Sequence, residues 1–274
     1  MTELVTVEIK DHIADVRFNR ADKMNALSIP MFEAINRVGK ELAQNKDIRA
    51  IVLSGEGRGF CAGLDLANFT DTDFNADPFG PGRGGFYPNF FQLPGYVWKK
   101  MPVPVICALH GVAYGGGFQI AMGADIRIAH PSTKLSVMEI KWGLIPDMST
   151  SQTLRDLVRV DVAKELTFTG RVVESEEALS LGLVTSINEN PRQAAMEMAA
   201  SIAKRNPNAI TYGKYLFDST WHGDEYEGLK AEERLQAKVM KSKNQIEAVM
   251  SEMEGREANY VERDATTFDD ITLD

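Results

Sequence analysis

Two glycine-rich turns, each placed directly after an apolar run, constrain the fold of this chain more than any other feature. The run IRAIVLSG (48–55) leads into the turn EGRGFCAG, and the run VPVICALHG (103–111) leads into the three glycines Gly115 to Gly117. Apolar runs of this length, bounded by glycine, are typical of buried strands. GGFQIAMGA, which contains the last two of these glycines, predicts a short apolar helix. The pattern therefore predicts an α/β core in which two glycine turns face one another.

The rest of the first half repeats this alternation of strands and helices. VTVEIKDHIADVRFN predicts a hairpin, and SIPMFEAINRVGKELAQN predicts the helix that follows it. DIRIAH and KLSVMEI predict two more strands after the glycine helix. We interpret this order as repeated ββα units, and we place a core domain at residues 1–200.

Residues 201–274 form the second predicted region, which is helical and rich in charge. EGLKAEERLQAKVMKSKNQIEAVMSEMEG places apolar residues at three-to-four spacing. Helices of this kind need a surface to cover. The sequence leaves open whether they pack on their own core or on a neighbouring subunit.

The segment from Ala67 to Pro94 breaks the pattern with clustered glycine, proline and aspartate. Loops of this length in compact domains are usually functional or disordered. We predict a lid over an apolar pocket, with a disordered insertion as the alternative. The residues that favour the lid are aromatic: Phe86, Tyr87, Phe90 and Phe91.

Composition narrows the possible partners. A formal net charge of −9 argues against nucleic-acid binding, because phosphate backbones require a basic face. The chain has neither a leader-like start nor a run of the ~18 apolar residues that a membrane helix needs. With only two cysteines and no histidine set at ligand spacing, the sequence predicts a cytoplasmic protein without a metal site.

The three glycines also bear on chemistry. Glycine permits close backbone approach to a ligand, and the free N–H groups at a helix start attract negative charge. This arrangement is typical of an oxyanion hole, although three glycines also serve simple tight turns.

Four blocks of the sequence resemble the signature blocks of the crotonase superfamily, the enoyl-CoA hydratases and isomerases. They occur in the family's order: NRADKMNALS (19–28), GRGFCAGLDL (57–66), HGVAYGGGFQIAMGADIRIA (110–129) and MEIKWGLIPDM (138–148). Four co-occurring blocks are far more specific than any single one.

The resemblance implies a spiral of ββα turns with a helical C-terminal region used in trimer assembly, often as a dimer of trimers. It implies an acyl-CoA substrate and no cofactor beyond the coenzyme A moiety. Ala62 and Gly116 would donate backbone N–H groups to the thioester oxygen. The residues implied for the coenzyme A site are Lys23, Ala26, Ala62, Asp65, Leu66 and, to reach a phosphate, Lys214.

The carboxylates distinguish this chain within the superfamily. Family hydratases carry two glutamates; Glu139 matches one, whereas Gln119 stands where the other would be. Asp147 matches the second carboxylate of the family's dienoyl-CoA isomerases, whose third acidic position is again Gln119. On the predicted strand LSVMEI, Glu139 shares a face with apolar residues, so burial would raise its pKa. The alternatives are a surface glutamate at 139 and a helix N-cap at 147.

We therefore expect a double-bond shift in an unsaturated, dienoyl acyl-CoA, with Asp147 as base and Glu139 as acid. One alternative is a 2-enoyl-CoA hydratase that uses Glu139 while Gln119 orients water. The other is a noncatalytic acyl-CoA-binding or RNA-binding relative.

Overall fold

A six-stranded sheet forms the centre of the protein in a computed structural model, which describes residues 3–70, 83–85 and 87–264. The strands of this sheet are β1 (Val5–Lys10), β2 (Ile13–Phe18), β3 (Ala50–Gly55), β4 (Val105–Leu109), β6 (Ile126–Ala129) and β9 (Ser186–Ile187). They lie in the order β1-β2-β3-β4-β6-β9. β1 and β2 form an antiparallel hairpin, and the remaining neighbours are parallel.

A smaller sheet of three strands, ordered β5-β7-β8, lies beside the first. Its strands are short: β5 (Val112–Tyr114), β7 (Lys134–Ser136) and β8 (Val173–Glu174). β4 and β5 are close in sequence but belong to different sheets. The chain therefore crosses from one sheet to the other just before the three glycines, and this crossing positions the glycine turn at the edge of the core.

The helices cover both faces of the large sheet. α1 (Ile29–Gln44) and α2 (Leu93–Lys99) contribute to the main core cluster. α7 (Pro191–Ala203) packs its alanines against the opposite face of β3 and β4. Small side chains such as Ala195 and Ala199 let this helix approach the sheet closely. The helices through this part are α1 (Ile29–Gln44), α2 (Leu93–Lys99), α3 (Gly116–Met122), α4 (Thr150–Thr153), α5 (Val160–Thr169), α6 (Ser175–Leu181) and α7 (Pro191–Ala203).

Three further helices follow: α8 (Pro207–Thr220), α9 (Glu225–Val239) and α10 (Lys243–Glu254). Asn206, Asp224 and Ser242 cap their N-termini with side-chain oxygens, which accept from backbone N–H groups of the first turn. A small cluster around Tyr212 and Leu235 joins α8 to α9. The predicted α/β fold with a helical C-terminal region is confirmed, whereas the boundary at residue 200 stays a prediction.

The predicted strand KLSVMEI is shorter than expected. β7 ends at Ser136, and Glu139 begins a 3₁₀ turn that runs to Trp142. The pairing explains the difference, because β7 pairs with β5 only through Ser136 and with β8 only through Leu135. Glu139 therefore does not lie on a strand, and the prediction that it shares a strand face with apolar residues was wrong, although Glu139 is buried.

No helix in the described part of the chain is long and apolar enough to cross a membrane.

Candidate active site

A cavity of about 690 Å³ lies where the two glycine turns meet. Its walls are mostly apolar, with Phe32, Leu64, Phe91, Trp142 and Met148 among them. Nine residues singled out from the sequence also line it: Lys23, Ala26, Ala62, Asp65, Leu66, Gly116, Gln119, Glu139 and Asp147. The fold thus gathers residues from four separated sequence blocks around one space.

The glycine turn brings backbone directly to the cavity. Gly115 has φ +50, a left-handed value that side chains disfavour, and Gly116 begins α3. A β-carbon at Gly115 would lie 3.1 Å from Oε1 of Glu139. The turn therefore holds its N–H groups and the Glu139 carboxyl side by side.

The prediction that Ala62 donates its N–H to a substrate is wrong. That N–H already donates to the carbonyl oxygen of Met24 at 2.9 Å. Leu64, two residues later, forms a parallel bridge with Leu27, in which Gly63 and Asp65 supply the hydrogen-bonding groups. The N–H and C=O of Leu64 must consequently point away from Leu27, because successive backbone groups alternate in direction along an extended segment.

Leu64 is the residue that sequence reasoning missed. Neither Leu64 nor Gly116 donates its N–H to another group in the described ranges, and both residues line the cavity. Two free N–H donors at the wall of an apolar cavity are suited to a developing oxyanion. The role of Leu64 as a donor follows from its pairing with Leu27, which lies in a different sequence block, and no local sequence pattern indicates it.

Glu139 is buried, with 8% of its surface exposed. Its Oε1 accepts a hydrogen bond from the Gln119 amide, and its Oε2 has no partner among the described groups. Burial, reinforced by the nearby negative charge of Asp147, raises the pKa of Glu139 to about 7. The carboxyl can therefore carry a proton near neutral pH.

Asp147 lies on the same cavity wall and has an exposed side chain. Because that wall is mostly apolar, desolvation raises the pKa of Asp147 above its ordinary value. The alternative role as an N-cap is wrong, since Ser149 occupies the residue before α4. Two carboxyls with raised pKa values in one cavity are suited to acid–base chemistry.

Gln119 connects the Glu139 carboxyl to the backbone that follows Asp147. Its Oε1 accepts from the backbone N–H of Met148 at 2.8 Å and from the hydroxyl of Thr150. Since the amide oxygen is held by two donors, the amide nitrogen must face Glu139. Gln119 is 1% exposed and fully engaged, so it orients its neighbours without exchanging a proton.

Five of the six residues expected to bind coenzyme A line the cavity: Lys23, Ala26, Ala62, Asp65 and Leu66. Asp65 pairs with Arg20 at 2.5 Å and accepts from the N–H of Ala67 at 3.0 Å. These contacts keep the pKa of Asp65 below its ordinary value. Asp65 is thus a charged structural element of the cavity wall, while Lys23 and Leu66 are exposed residues of the same wall.

Lys214 is not part of this cavity. It is nearly buried, with a side chain 6% exposed, and its ammonium contacts the carboxylates of Asp125 and Asp218. The pairing with Asp125 links α8 to the segment before β6, across 89 positions of sequence. The structure thus pairs Lys214 away from the cavity and gives no support to the prediction that it reaches a phosphate.

The aromatic segment contributes part of the cavity wall. Phe91 lines the cavity and packs edge-on against Phe32, with ring centroids 5.3 Å apart. Phe90 also contacts Phe32, whereas Tyr87 is 84% exposed. Phe86 and residues 71–82 of the predicted lid lie outside the described residues, so the lid stays a prediction.

Metal-ligand geometry is absent from the described ranges: they contain no group of three or more His, Cys, Asp or Glu side chains able to hold an ion. The histidines make ordinary polar contacts, as His12 does with Asp47 at 2.8 Å. Cys61 and Cys107 are free and buried, and burial raises the pKa of the Cys61 thiol to about 12.

Free N–H donors beside two carboxyls of raised pKa form an arrangement that is suited to acid–base chemistry on a substrate that develops an oxyanion. A model of the enoyl-CoA hydratase/isomerase family matches residues 8–270, and the chain belongs to this family, within the crotonase superfamily.

Known relatives include enzymes of two reaction types. Mouse mitochondrial methylglutaconyl-CoA hydratase is 29% identical over 249 residues, which cover 88% of this chain and 77% of the relative. Mouse mitochondrial Δ(3,5)-Δ(2,4)-dienoyl-CoA isomerase is 28% identical over 259 residues, covering 91% of this chain and 79% of the relative. The crystal structure of enoyl-CoA hydratase from Bacillus anthracis has a TM-score of 0.84 at 27% identity, covering 94% of this chain and 98% of that one.

Proposed function

We propose that this enzyme shifts double bonds in an unsaturated acyl-CoA, converting a 3,5-dienoyl-CoA into a 2,4-dienoyl-CoA. The observation that carries the proposal is the pair Glu139 and Asp147 in one apolar cavity, with Gln119 held between them. An isomerase needs two groups that exchange protons with different carbons, and it needs no water. The pair supplies both groups.

The thioester carbonyl binds with its oxygen between the N–H groups of Leu64 and Gly116. As a proton leaves the carbon next to the carbonyl, negative charge moves onto this oxygen. Removing one donor of this type typically lowers a rate by ~10²–10³, so two donors stabilise the dienolate by several kcal/mol.

Asp147 takes the proton from C2, and Glu139 gives its own proton to C6. The substrate thus loses one proton and gains one, and its mass does not change. The cycle leaves Asp147 protonated and Glu139 ionised, and the proton returns from one to the other before the next turnover. A pKa of about 7 makes Glu139 a suitable donor near neutral pH.

Hydration is the competing reaction, because the relatives include a hydratase. Adding water requires one group to activate the water and another to deliver a proton. Gln119 can do neither, since its amide is bonded at both ends and has no proton to exchange near neutral pH. The apolar wall formed by residues such as Phe91 and Met148 also disfavours a positioned water.

The variant Asp147→Asn tests the proposal. We expect isomerisation of a 3,5-dienoyl-CoA to fall by at least ~10²-fold, because general acid–base groups contribute about that much. Binding of a saturated acyl-CoA, measured by calorimetry, should stay within about twofold, since the change removes charge but little volume. Turnover retained by Asp147→Asn would rule out its role as base.

A further inference from the structure

The Gln119 amide contacts the Glu139 carboxyl at one end and the backbone next to Asp147 at the other. Its nitrogen donates to Oε1 of Glu139. Its oxygen accepts from the N–H of Met148, the residue directly after Asp147, at 2.8 Å. One rigid planar group therefore spans the distance between Glu139 and the backbone that carries Asp147.

The second donor to the Gln119 oxygen is the hydroxyl of Thr150. Thr150 is 3% exposed and begins α4, and it is not among the residues that line the cavity. It therefore has no direct access to a substrate. Its hydroxyl nevertheless reaches the amide that contacts the Glu139 carboxyl and the backbone next to Asp147.

Removing the Thr150 hydroxyl weakens the constraint on the direction of the amide. With two donors on its oxygen, the amide has a single satisfied orientation, with nitrogen toward Glu139. With Met148 alone, an amide that rotates out of plane still keeps one bond. Rotation would withdraw the donor from Oε1 of Glu139, a buried atom that would then lack a partner.

We propose that Thr150 is a positioning residue, which acts through Gln119 to fix Glu139 and the Asp147 segment relative to one another. This positioning makes the two carboxyl oxygens of Glu139 different from one another. Because the Gln119 amide occupies Oε1, the proton of the neutral acid resides on Oε2, the oxygen without a partner among the described groups. Thr150 thereby selects which oxygen delivers the proton. The inference rests on the proposed function, since it assigns Glu139 and Asp147 the same proton-transfer roles.

The decisive comparison uses the full-length enzyme with Thr150→Val, Thr150→Ser and Thr153→Val. Thr150→Val keeps the shape and removes the hydroxyl, whereas Thr150→Ser keeps the hydroxyl. Thr153→Val is the matched control, because Thr153 is equally buried on α4 but its hydroxyl bonds, among the described groups, only to the carbonyl oxygen of Ser149, at 3.5 Å. If Thr150→Val does not fold, Thr150→Ala takes its place as the hydroxyl-free variant.

We expect Thr150→Val to lower kcat by about 10- to 100-fold with KM within about twofold, since misplacing a catalytic group has effects of this size. Thr150→Ser should recover most of kcat, and Thr153→Val should match the wild type. A kcat for Thr150→Val equal to that of Thr153→Val would overturn the inference.

A second readout separates this inference from the proposed function. The titration of Glu139, followed by infrared difference spectroscopy with Glu139→Gln to assign the band, requires no substrate. Hydrogen bonding from Gln119 favours the ionised form, so the pKa of Glu139 should rise in Thr150→Val and return in Thr150→Ser. An enzyme that fails to isomerise dienoyl-CoA but shows this shift would refute the reaction and retain the positioning role. An unchanged titration would refute the positioning role.

Discussion

Glu139 stays protonated at pH values at which a carboxyl group in water is ionised. Its pKa of about 7 lies above the ordinary 4.5 because the carboxyl is buried and faces another acid. The folded state therefore binds a proton more tightly than the unfolded chain does. By linkage, this group lowers the stability of the fold as pH rises from about 4.5 to about 7, and the loss is complete above that range.

Replacing Glu139 with Gln should consequently stabilise the protein at alkaline pH. The shift corresponds to a gain on the order of 3 kcal/mol at most in the free energy of unfolding above pH 7, and close to none below pH 4.5. Urea unfolding at the two pH extremes measures the difference. Glu33→Gln, a change at an exposed residue of α1, is the control. Its free energy of unfolding should stay within about 0.5 kcal/mol of the wild-type value at both pH extremes. Equal effects of Glu139→Gln at the two pH values would contradict this account of Glu139.

The pH dependence of turnover follows from the same two groups. Isomerisation requires a protonated Glu139, so kcat/KM should fall as pH rises through about 7. It also requires an ionised Asp147, so kcat/KM should fall on the acid side as pH drops toward the raised pKa of that residue. A profile of kcat/KM for 3,5-dienoyl-CoA should thus be bell-shaped, and Glu139→Gln should lose the alkaline limb along with most activity. A flat profile for the wild type would mean that other groups move the protons.

The sequence predicted the chemistry of individual residues better than their backbone geometry. Glu139, Asp147 and Gln119 were recognised from residue type and motif, and all three line the cavity. Ala62 was assigned from the resemblance to the family, and Leu64 was not considered. The direction of an N–H group along an extended segment depends on its partner, here Leu27, which no local pattern reveals.

At the scale of elements, the crossing of α2 and α3 sets the position of the site. A β-carbon at Gly123, directly after α3, would overlap the carbonyl oxygen of Gly95 in α2. Gly95 in turn packs against the carbonyl oxygen of Met148, beside Asp147. These backbones touch without side chains between them, which ties the acid–base segment to the core.

Gly123→Ala should therefore destabilise the fold by about 1–3 kcal/mol or more, because the collision is with backbone that has no free space to move. Gly213→Ala is the matched contrast on α8, where an added β-carbon meets nothing within 4 Å. There the better helix former should stabilise by up to about 1 kcal/mol. In thermal unfolding, Gly123→Ala should lower the melting temperature and Gly213→Ala should raise it. An unchanged melting temperature for Gly123→Ala would contradict the close crossing of the two helices.

Strand and helix order was predictable because the hydrophobic period changes clearly between elements, as in IRAIVLSG and the following turns. The end of β7 was not, because LSVMEI keeps its apolar character past Ser136 while its pairing stops there. The ion pair between Lys214 and Asp125 could not be predicted for a similar reason. The two residues are distant in sequence, and no local pattern indicates that they meet.

At the scale of the whole molecule, the cavity has one wall of exposed apolar side chains. Ile145 is 74% exposed and Trp142 is 45% exposed, although both line the site. On the C-terminal helices, Met253 is 79% exposed and Leu229 is 57% exposed. Exposed apolar side chains that form a contiguous patch generally mark an interaction site.

The predicted assembly into trimers would cover such surface. We expect light scattering at micromolar concentration to give a mass of three or six times the 30.4 kDa of one chain. Ile145→Glu should shift the distribution toward smaller species if this wall is covered, because a buried unpaired charge is costly. Glu33→Gln serves again as the neutral control, and a wild-type mass of 30.4 kDa would contradict the trimer prediction.

The reaction itself is tested most directly by giving the purified wild-type enzyme a 3,5-dienoyl-CoA and, separately, a 2-enoyl-CoA. Ultraviolet absorbance follows conjugation, and mass spectrometry follows the addition of water. The acid–base pair predicts a gain in conjugation on the dienoyl substrate with no change in mass, and little or no hydration of the enoyl substrate. Addition of one water to the 2-enoyl-CoA, with no shift on the dienoyl-CoA, would contradict the proposed isomerase and identify a hydratase.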